Sequence, residues 1–475
     1  MNIQVDALSE KAVTPKLSHA GLLIASQVVR SSLRLIFVLV VARALGPKEL
    51  GAYALLLTMV EFLAMASGAG YADYLTREAA RDASAGWGLA FKLLSLRIAI
   101  AIPVALIEIG ILAVMGYPHA VLASTAWMAL TIVPRSLSEA VQGVLRGIHR
   151  YAIHLVIELV LGGSLVGGAV VLFVSQGQLG MAITVELIAA MAAGFVSLAF
   201  AIKYRPRMLI WLSGSQLVKK GAVFNAYGLI ANLYDRFDVV LLSKLAGDYA
   251  TGIYSVAYRA VGMTQIIGYG VLYSLLPTLS RDALGHVDQR RVQRAVGLLL
   301  NIAFFVVLGT IIFGAPAIRL ILGPRYAESA EALKILIWAV ILRYLNYGMN
   351  IRFLAAGRES VFVSTSLSCL AINLLGNVIL IPRFGWRAAA AMTIVTELAL
   401  LVQNVYWTRR AVVQVALPWA GIRTVLAFGI VLAVALVGDR LGSPLLVGTI
   451  CLSCFAAYLV RTGLLNEFAA IWDAT

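Results

Sequence analysis

Arg30 and Arg34 stand four residues apart in the run "LLIASQVVRSSLRLIFVLVVA". A helix there places both guanidiniums on one face together with Gln27. No acid on the same run lies near enough to neutralise them. Planar guanidinium groups bind phosphate through paired hydrogen bonds, so this face points to a cavity for an anionic ligand. The competing reading is a set of internal salt bridges that only fix helix packing. A second polar face comes from Arg343, Asn346, Tyr347 and Asn350, spaced i, i+3, i+4, i+7. Arg259 precedes Gln265 in another apolar run. The stretch "NLYDRFDVVLL" sets Asp235, Arg236 and Asp238 inside a hydrophobic segment, with Asn232 a turn earlier. These acids are expected to pair in part with Arg34 or Arg259 and to form a gate or an ion-coupling group. Glu61, Glu108, Glu139, Glu158, Glu186 and Glu397 are the other acids in apolar runs, and any of them could carry a coupling proton; Glu61 and Glu397, both in mid-run, are selected.

Such charges are expensive in lipid, about 2.5–3.5 kcal/mol each at a bilayer centre. Yet a bilayer is where the composition puts them. The chain has 475 residues, 61% hydrophobic and 13% charged, with mean hydropathy +0.91. Soluble domains are about 25% charged, and no soluble core hides this much apolar surface. The apolar runs reach the roughly 20 residues a membrane helix needs and lack the short alternation of a membrane barrel. A net charge of +15 is accounted for by Lys and Arg in cytoplasmic loops, so no nucleic-acid partner is inferred. No cleavable leader is evident in residues 1–19. "CLSC" at 451–454 matches a metal or redox spacing, but it lies within an apolar run without a second ligand pair. It reads as packing, and neither a metal site nor a catalytic residue is assigned. Gly163 and Gly167 in "GSLVG" read as points of close helix contact.

Fourteen apolar runs, from 20–42 to 442–461, define an all-α polytopic membrane protein with 14 transmembrane helices. Nineteen Lys and Arg fall in the tails and loops on one side of these runs, against eight on the other. The positive-inside rule then puts both termini in the cytoplasm. "GPKELGAY" at 46–53 returns as "GDYATGIY" at 247–254, an offset of 201. Weaker echoes align Gly147 with Gly357 and "GQLGMAI" with "GWRAAAA", at offsets of 210 and 208. The chain divides on this basis into an N-terminal lobe, 1–205, a basic cytoplasmic linker, 206–221, a C-terminal lobe, 222–410, and an accessory region, 411–475, with the last two spans and the tail. Parallel repeats of six spans are a secondary-transporter arrangement, with the substrate site near the bilayer midplane.

The segments "ARALGPKELGAYALLLTMVEFLAMASGAGYADYLTREAARD", "DRFDVVLLSKLAGDYATGIYSVAYR" and "RFGWRAAAAMTIVTE" resemble the polysaccharide-biosynthesis flippases. These form the O-antigen, Wzx-type branch of the MOP superfamily, which also holds lipid II flippases and MATE exporters. The resemblance runs over nearly the whole chain. It implies two pseudo-symmetric six-helix bundles in a V around a cationic lumen, with two extra helices that help accommodate a lipid tail. It implies transport across the bacterial inner membrane of an undecaprenyl-diphosphate-linked oligosaccharide, for O-antigen (lipopolysaccharide) or exopolysaccharide synthesis. The expected partners are that glycan, membrane lipids, and polysaccharide polymerase and chain-length proteins. No cofactor is expected beyond coupling to H+ or Na+. On this reading Arg30, Arg34, Arg259, Arg343, Asn346 and Asn350 bind substrate, and Asp235, Arg236, Asp238, Glu61 and Glu397 gate or couple. Two alternatives stand beside it. One is a MATE-type ion-coupled exporter of drugs or organic cations, against which fourteen spans and a basic lumen argue. The other is a membrane glycosyltransferase, polymerase or ligase acting on lipid-linked sugars, which generally needs a catalytic group in a sizeable external loop.

Overall fold

The computed structural model describes residues 17–68, 71–204, 214–282, 289–355, 359–410, 425–434 and 444–461. The described residues are helical almost throughout. α1 (Leu17–Ser67), α2 (Tyr71–Arg81), α3 (Ala83–Val114), α4 (His119–Ala129), α5 (Ile132–Gly147), α6 (Tyr151–Val174) and α7 (Leu179–Tyr204) lead to α8 (Gly214–Asp282) and α9 (Gln289–Leu322). A 3-10 turn, Pro324–Tyr326, opens α10 (Ala327–Leu336), followed by α11 (Ala339–Ala355), α12 (Glu359–Phe384) and α13 (Trp386–Arg410). Two shorter helices, α14 (Val425–Val434) and α15 (Pro444–Arg461), complete the order. Among the described residues seven spans are long and apolar enough to cross a membrane, with α4 and α5 taken together as His119–Gly147, and eight if the bent pair α10–α11 is one span. Large apolar side chains are turned outward, Val114 90% and Leu320 80% exposed, as surfaces that face hydrocarbon are. α1 and α8 stand outside that set; they carry the internal charges at 30, 34 and 61 and at 235, 236 and 238.

Both of these long helices are broken at one residue. Gly46 has φ 76° and ψ 175°, and Gly247 has φ 83° and ψ 172°. Positive φ of this kind is open to glycine and strained for other residues. The sequence echo at an offset of 201 is therefore a repeated backbone break. Pro47 follows the first break, where a new helix start loses nothing by lacking an N–H. The fourth and tenth apolar runs are broken as well. α4 gives way to α5 at Leu130–Thr131, three residues before Pro134, and α10 meets α11 with a 43° bend.

Two compact units emerge, Met1–Val41 with Leu63–Gly228, and Ala42–Phe62 with Leu229–Thr475. The first is cored by Trp87, Tyr71, Leu75, Leu93 and Leu145, where α2, α3 and α5 meet. Asp82 caps α3, its carboxylate accepting from the Ser84 amide at 2.7 Å and the Ala85 amide at 3.3 Å. A Cβ at Gly143 or Gly147 would strike α2, and Thr76 donates there to the Gly143 carbonyl at 3.0 Å. On α6 the contact glycines are Gly162, against Leu33 of α1, and Gly168, against Val185 of α7. The expectation for Gly163 and Gly167 is corrected: each lies one residue from a contact position, and nothing among the described residues stands within 4 Å of a Cβ there.

In the second unit α14 and α15 pack on α9. Phe428 stacks on Phe304 at 4.6 Å and meets Phe455 edge-on at 6.2 Å. Gly448 leaves room for Ile312. The two halves of the repeat also touch in this unit. A Cβ on Gly51 would collide with the carbonyl oxygen of Asp248, and one on Gly252 with that of Pro47. Both pairs are related by the same offset of 201, so the contact is reciprocal.

Candidate functional site

In the first unit the α1 arginines face buried acids brought in by other helices. Glu186 of α7 is 1% exposed and takes two guanidiniums. Arg34 Nη1 lies 2.7 Å from its Oε1, and Arg135 Nη2 of α5 donates to its Oε2 at 2.8 Å. Arg34 and Arg135 remain 27% and 21% exposed. This triad of two arginines and one carboxylate carries a net positive charge. Arg30, half-exposed, hydrogen-bonds Gln27 and lies 3.7 Å from Glu158 of α6. Farther along, buried Arg97 of α3 donates to Glu139 of α5 at 2.8 Å. The reading of Arg30 and Arg34 as without an acid is thus corrected. Their own run supplies none, but Glu158 and Glu186, more than 120 residues later, fold against them. The Gly162 contact that seats Leu33 draws α6 close enough for this.

In the second unit Arg343 of α11 is the centre. Its Nε donates to Glu397 of α13 at 2.7 Å, and its Nη2 lies 3.5 Å from Asp235 of α8. Asn346, one turn on, donates to the Glu397 carbonyl at 3.0 Å and to Oε2 at 2.9 Å, and accepts from Asn404 at 3.2 Å. Tyr258 donates to Asp235 Oδ1 at 2.6 Å. Here one arginine is held between two carboxylates, a net negative triad. Asp238, fully buried, accepts from the Tyr254 hydroxyl and from the Val239 amide at 2.8 Å, while Tyr254 also meets Thr393 at 3.2 Å. Arg236 reaches Glu61 at 3.4 Å and lies over the Tyr258 ring at 5.8 Å. Arg259 is half-buried on α8. Asn350 is half-buried on α11, and its Oδ1 has no hydrogen-bond partner among the described residues.

Seven of the eleven anticipated residues fall into three groups, all in the second unit. Arg343, Asn346, Asp235 and Glu397 form one network. Arg236 pairs with Glu61, and Asp238 is held by tyrosine. Among the contacts described, Asp235 meets Arg343 and Tyr258, and Asp238 meets Tyr254 and the Val239 amide. Arg135, Tyr254, Tyr258 and Asn404 are site residues that the sequence reading does not select, and Glu186 figures there only as one of six acids able to carry a coupling proton. A signal for Arg135 existed, since it lies 208 residues before Arg343, the offset of the repeat in that region. Among the described residues no group of three His, Cys, Asp or Glu is placed to hold a metal ion.

Residues 40–331 match the family described as "Polysaccharide biosynthesis protein", and the chain belongs to it. It is a multi-pass, all-helical membrane protein. A curated relative from Haloferax volcanii, "Probable low-salt glycan biosynthesis flippase Agl15", is 22% identical over 369 residues, covering 74% of this chain and 75% of the relative. Among solved structures the fold is shared with "Lipid II flippase MurJ, inward closed conformation", with TM-score 0.70 and 13% identity, over 94% of this chain and 99% of that one. An inward-facing MATE-family multidrug transporter of the MOP superfamily gives TM-score 0.67 and 14% identity, over 80% and 94%.

Proposed function

We propose that the protein is a flippase that moves an oligosaccharide linked to undecaprenyl diphosphate across the bacterial inner membrane by alternating access. It would serve O-antigen or other polysaccharide synthesis, with both termini cytoplasmic, beside a polymerase and chain-length proteins. The observation that carries this reading is the Arg34–Glu186–Arg135 triad. One fully buried carboxylate fixes two guanidiniums that remain partly exposed. Fixed, pre-oriented guanidiniums with surplus positive charge suit a diphosphate. The family match and the flippase relative support a flippase of glycan biosynthesis. Arg30, Arg259, Asn346 and Asn350 are the further groups for the glycan head. Asp235, Arg236, Asp238, Glu61 and Glu397 are the groups for gating or for coupling to H+ or Na+.

The test is reconstitution. Proteoliposomes holding the full chain should expose a fluorescent undecaprenyl-diphosphate oligosaccharide to an external quencher faster than empty liposomes do. Equal rates would sink the proposal. A second reading, a MATE-type exporter of organic cations, has one observation in its favour, the net negative triad of Asp235, Arg343 and Glu397. Efflux of a cationic dye from the same vesicles, without lipid translocation, would select it.

A further inference from the structure

Several helix ends of the first unit gather at one place. The C-terminal end of α5 lies against α2, where a Cβ at Gly147 would meet the Thr76 carbonyl and Ala79. The chain then turns through Ile148–Arg150 into α6, and the far end of α7 returns to the same spot. Arg150 and Lys203 both sit over the ring of Tyr204, at 5.6 Å and 5.5 Å from its centre. Both are exposed. Among the described residues neither is ion-paired with a carboxylate, in contrast to Arg77 and Arg81 on α2, which share Glu78. No side chain caps the first turn of α6, so its amide groups add to the positive field. Two cations on one ring beside an uncapped helix start call for an anion.

The two helices that end here carry exposed apolar side chains on their outer flank. Val156 on α6 and Phe195 and Ile202 on α7 are 42%, 74% and 58% exposed. A soluble polyanion would satisfy the cations and leave that flank bare. A zwitterionic lipid brings its own cation, which Arg150 and Lys203 repel. We propose that Arg150, Lys203 and the start of α6 hold the phosphate of an anionic phospholipid, whose acyl chains lie along Val156, Phe195 and Ile202. This seat is separate from the arginine triad and independent of what the protein transports.

The experiment is native mass spectrometry of the purified full chain titrated with phosphatidylglycerol and, separately, with phosphatidylcholine. The wild type should retain phosphatidylglycerol at concentrations where phosphatidylcholine is lost. Each cation at an anionic lipid is worth about 1 kcal/mol, so Arg150→Gln with Lys203→Gln should weaken retention roughly 25-fold. Arg77→Gln, a change at another exposed arginine, should leave it within about twofold. Unfolding in phosphatidylcholine nanodiscs checks that the double variant is folded; if it is not, Lys203→Gln alone should show roughly a fivefold loss. Equal retention of the two lipids, or undiminished retention by the folded variant, would overturn the proposal. Full displacement of the lipid by inorganic phosphate would overturn it too, by reassigning the seat to a free anion.

Discussion

Arg343 and Glu397 form in the second unit the buried pair that Arg135 and Glu186 form in the first, at 2.7 Å and 2.8 Å. The arginines are 208 residues apart and the acids 211, so the acids are about one helical turn from strict equivalence. The third member differs in sign. Arg34 joins the first pair and Asp235, 201 residues later, joins the second. The same framework yields a positive triad in one unit and a negative triad in the other.

Breaking the second pair should be costly. Arg343→Met leaves the buried Glu397 without its counter-charge and also strips the partly exposed Asp235 of one, and removing one partner of a buried pair typically costs about 3–5 kcal/mol. Arg343→Met combined with Glu397→Leu removes both, and should unfold at a higher temperature than Arg343→Met alone. Thermal unfolding of the purified protein in detergent would measure both. A double variant less stable than the single would contradict the account of the pair.

In the first unit the surplus charge resides on Arg34 and Arg135. Replacing both with Gln should lower lipid-linked oligosaccharide translocation by tenfold or more, on the order of the 1.5–3 kcal/mol carried by charge-assisted hydrogen bonds. Arg77→Gln, changing an exposed arginine outside the site and 3.6 Å from Glu78, should cost about twofold or less, as a weak exposed pair does. The readout is the initial rate in proteoliposomes normalised to inserted protein. Equal losses in the two variants would remove Arg135 from the site.

Gly51→Ala and Gly252→Ala each drive a methyl into a carbonyl of the opposing segment. Overpacking of this kind costs about 1–3 kcal/mol, and each variant should show a lower unfolding midpoint. Gly163→Ala, on an exposed helical position facing open space, should be neutral or slightly stabilising, since Ala exceeds Gly in helix propensity by about 1 kcal/mol. Equal midpoints for all three would show that the crossing is looser than its geometry.

Asp82→Ala removes the carboxylate that accepts from the Ser84 and Ala85 amides at the start of α3. A lost N-cap typically costs about 1 kcal/mol. Asp82→Asn should restore most of it. Amide exchange at residues 84–86 would report the fraying directly.

Much of this architecture is legible in the sequence because it rests on local signals. Apolar runs, glycines at fixed spacing and a mid-run proline announce helices and their breaks. The polar face of α11 is likewise local, and Arg343 and Asn346 are readable from a single helix. Partners are another matter. Glu186 looks like one intramembrane acid among several until α7 is folded against α1 and α5. Tyr258 looks like an ordinary aromatic until it donates to Asp235. Helical periodicity gives the face a side chain shares with its own neighbours, never which other helix that face will meet. The one long-range signal available was the repeat, and applying its offset to Arg343 leads to Arg135.

The Gly51–Gly252 crossing has the form of a contact between two identical subunits across a two-fold axis, in which a residue meets its own copy. In such a homodimer every substitution appears twice, so equivalent positions must carry the same charge. A single chain that holds both copies is freed from that rule. Position 34 can be arginine while its counterpart, 235, is aspartate. The covalent joining of the two halves is what permits one symmetric scaffold to offer opposite charges at equivalent places, an asymmetry no pair of identical half-length chains is able to express.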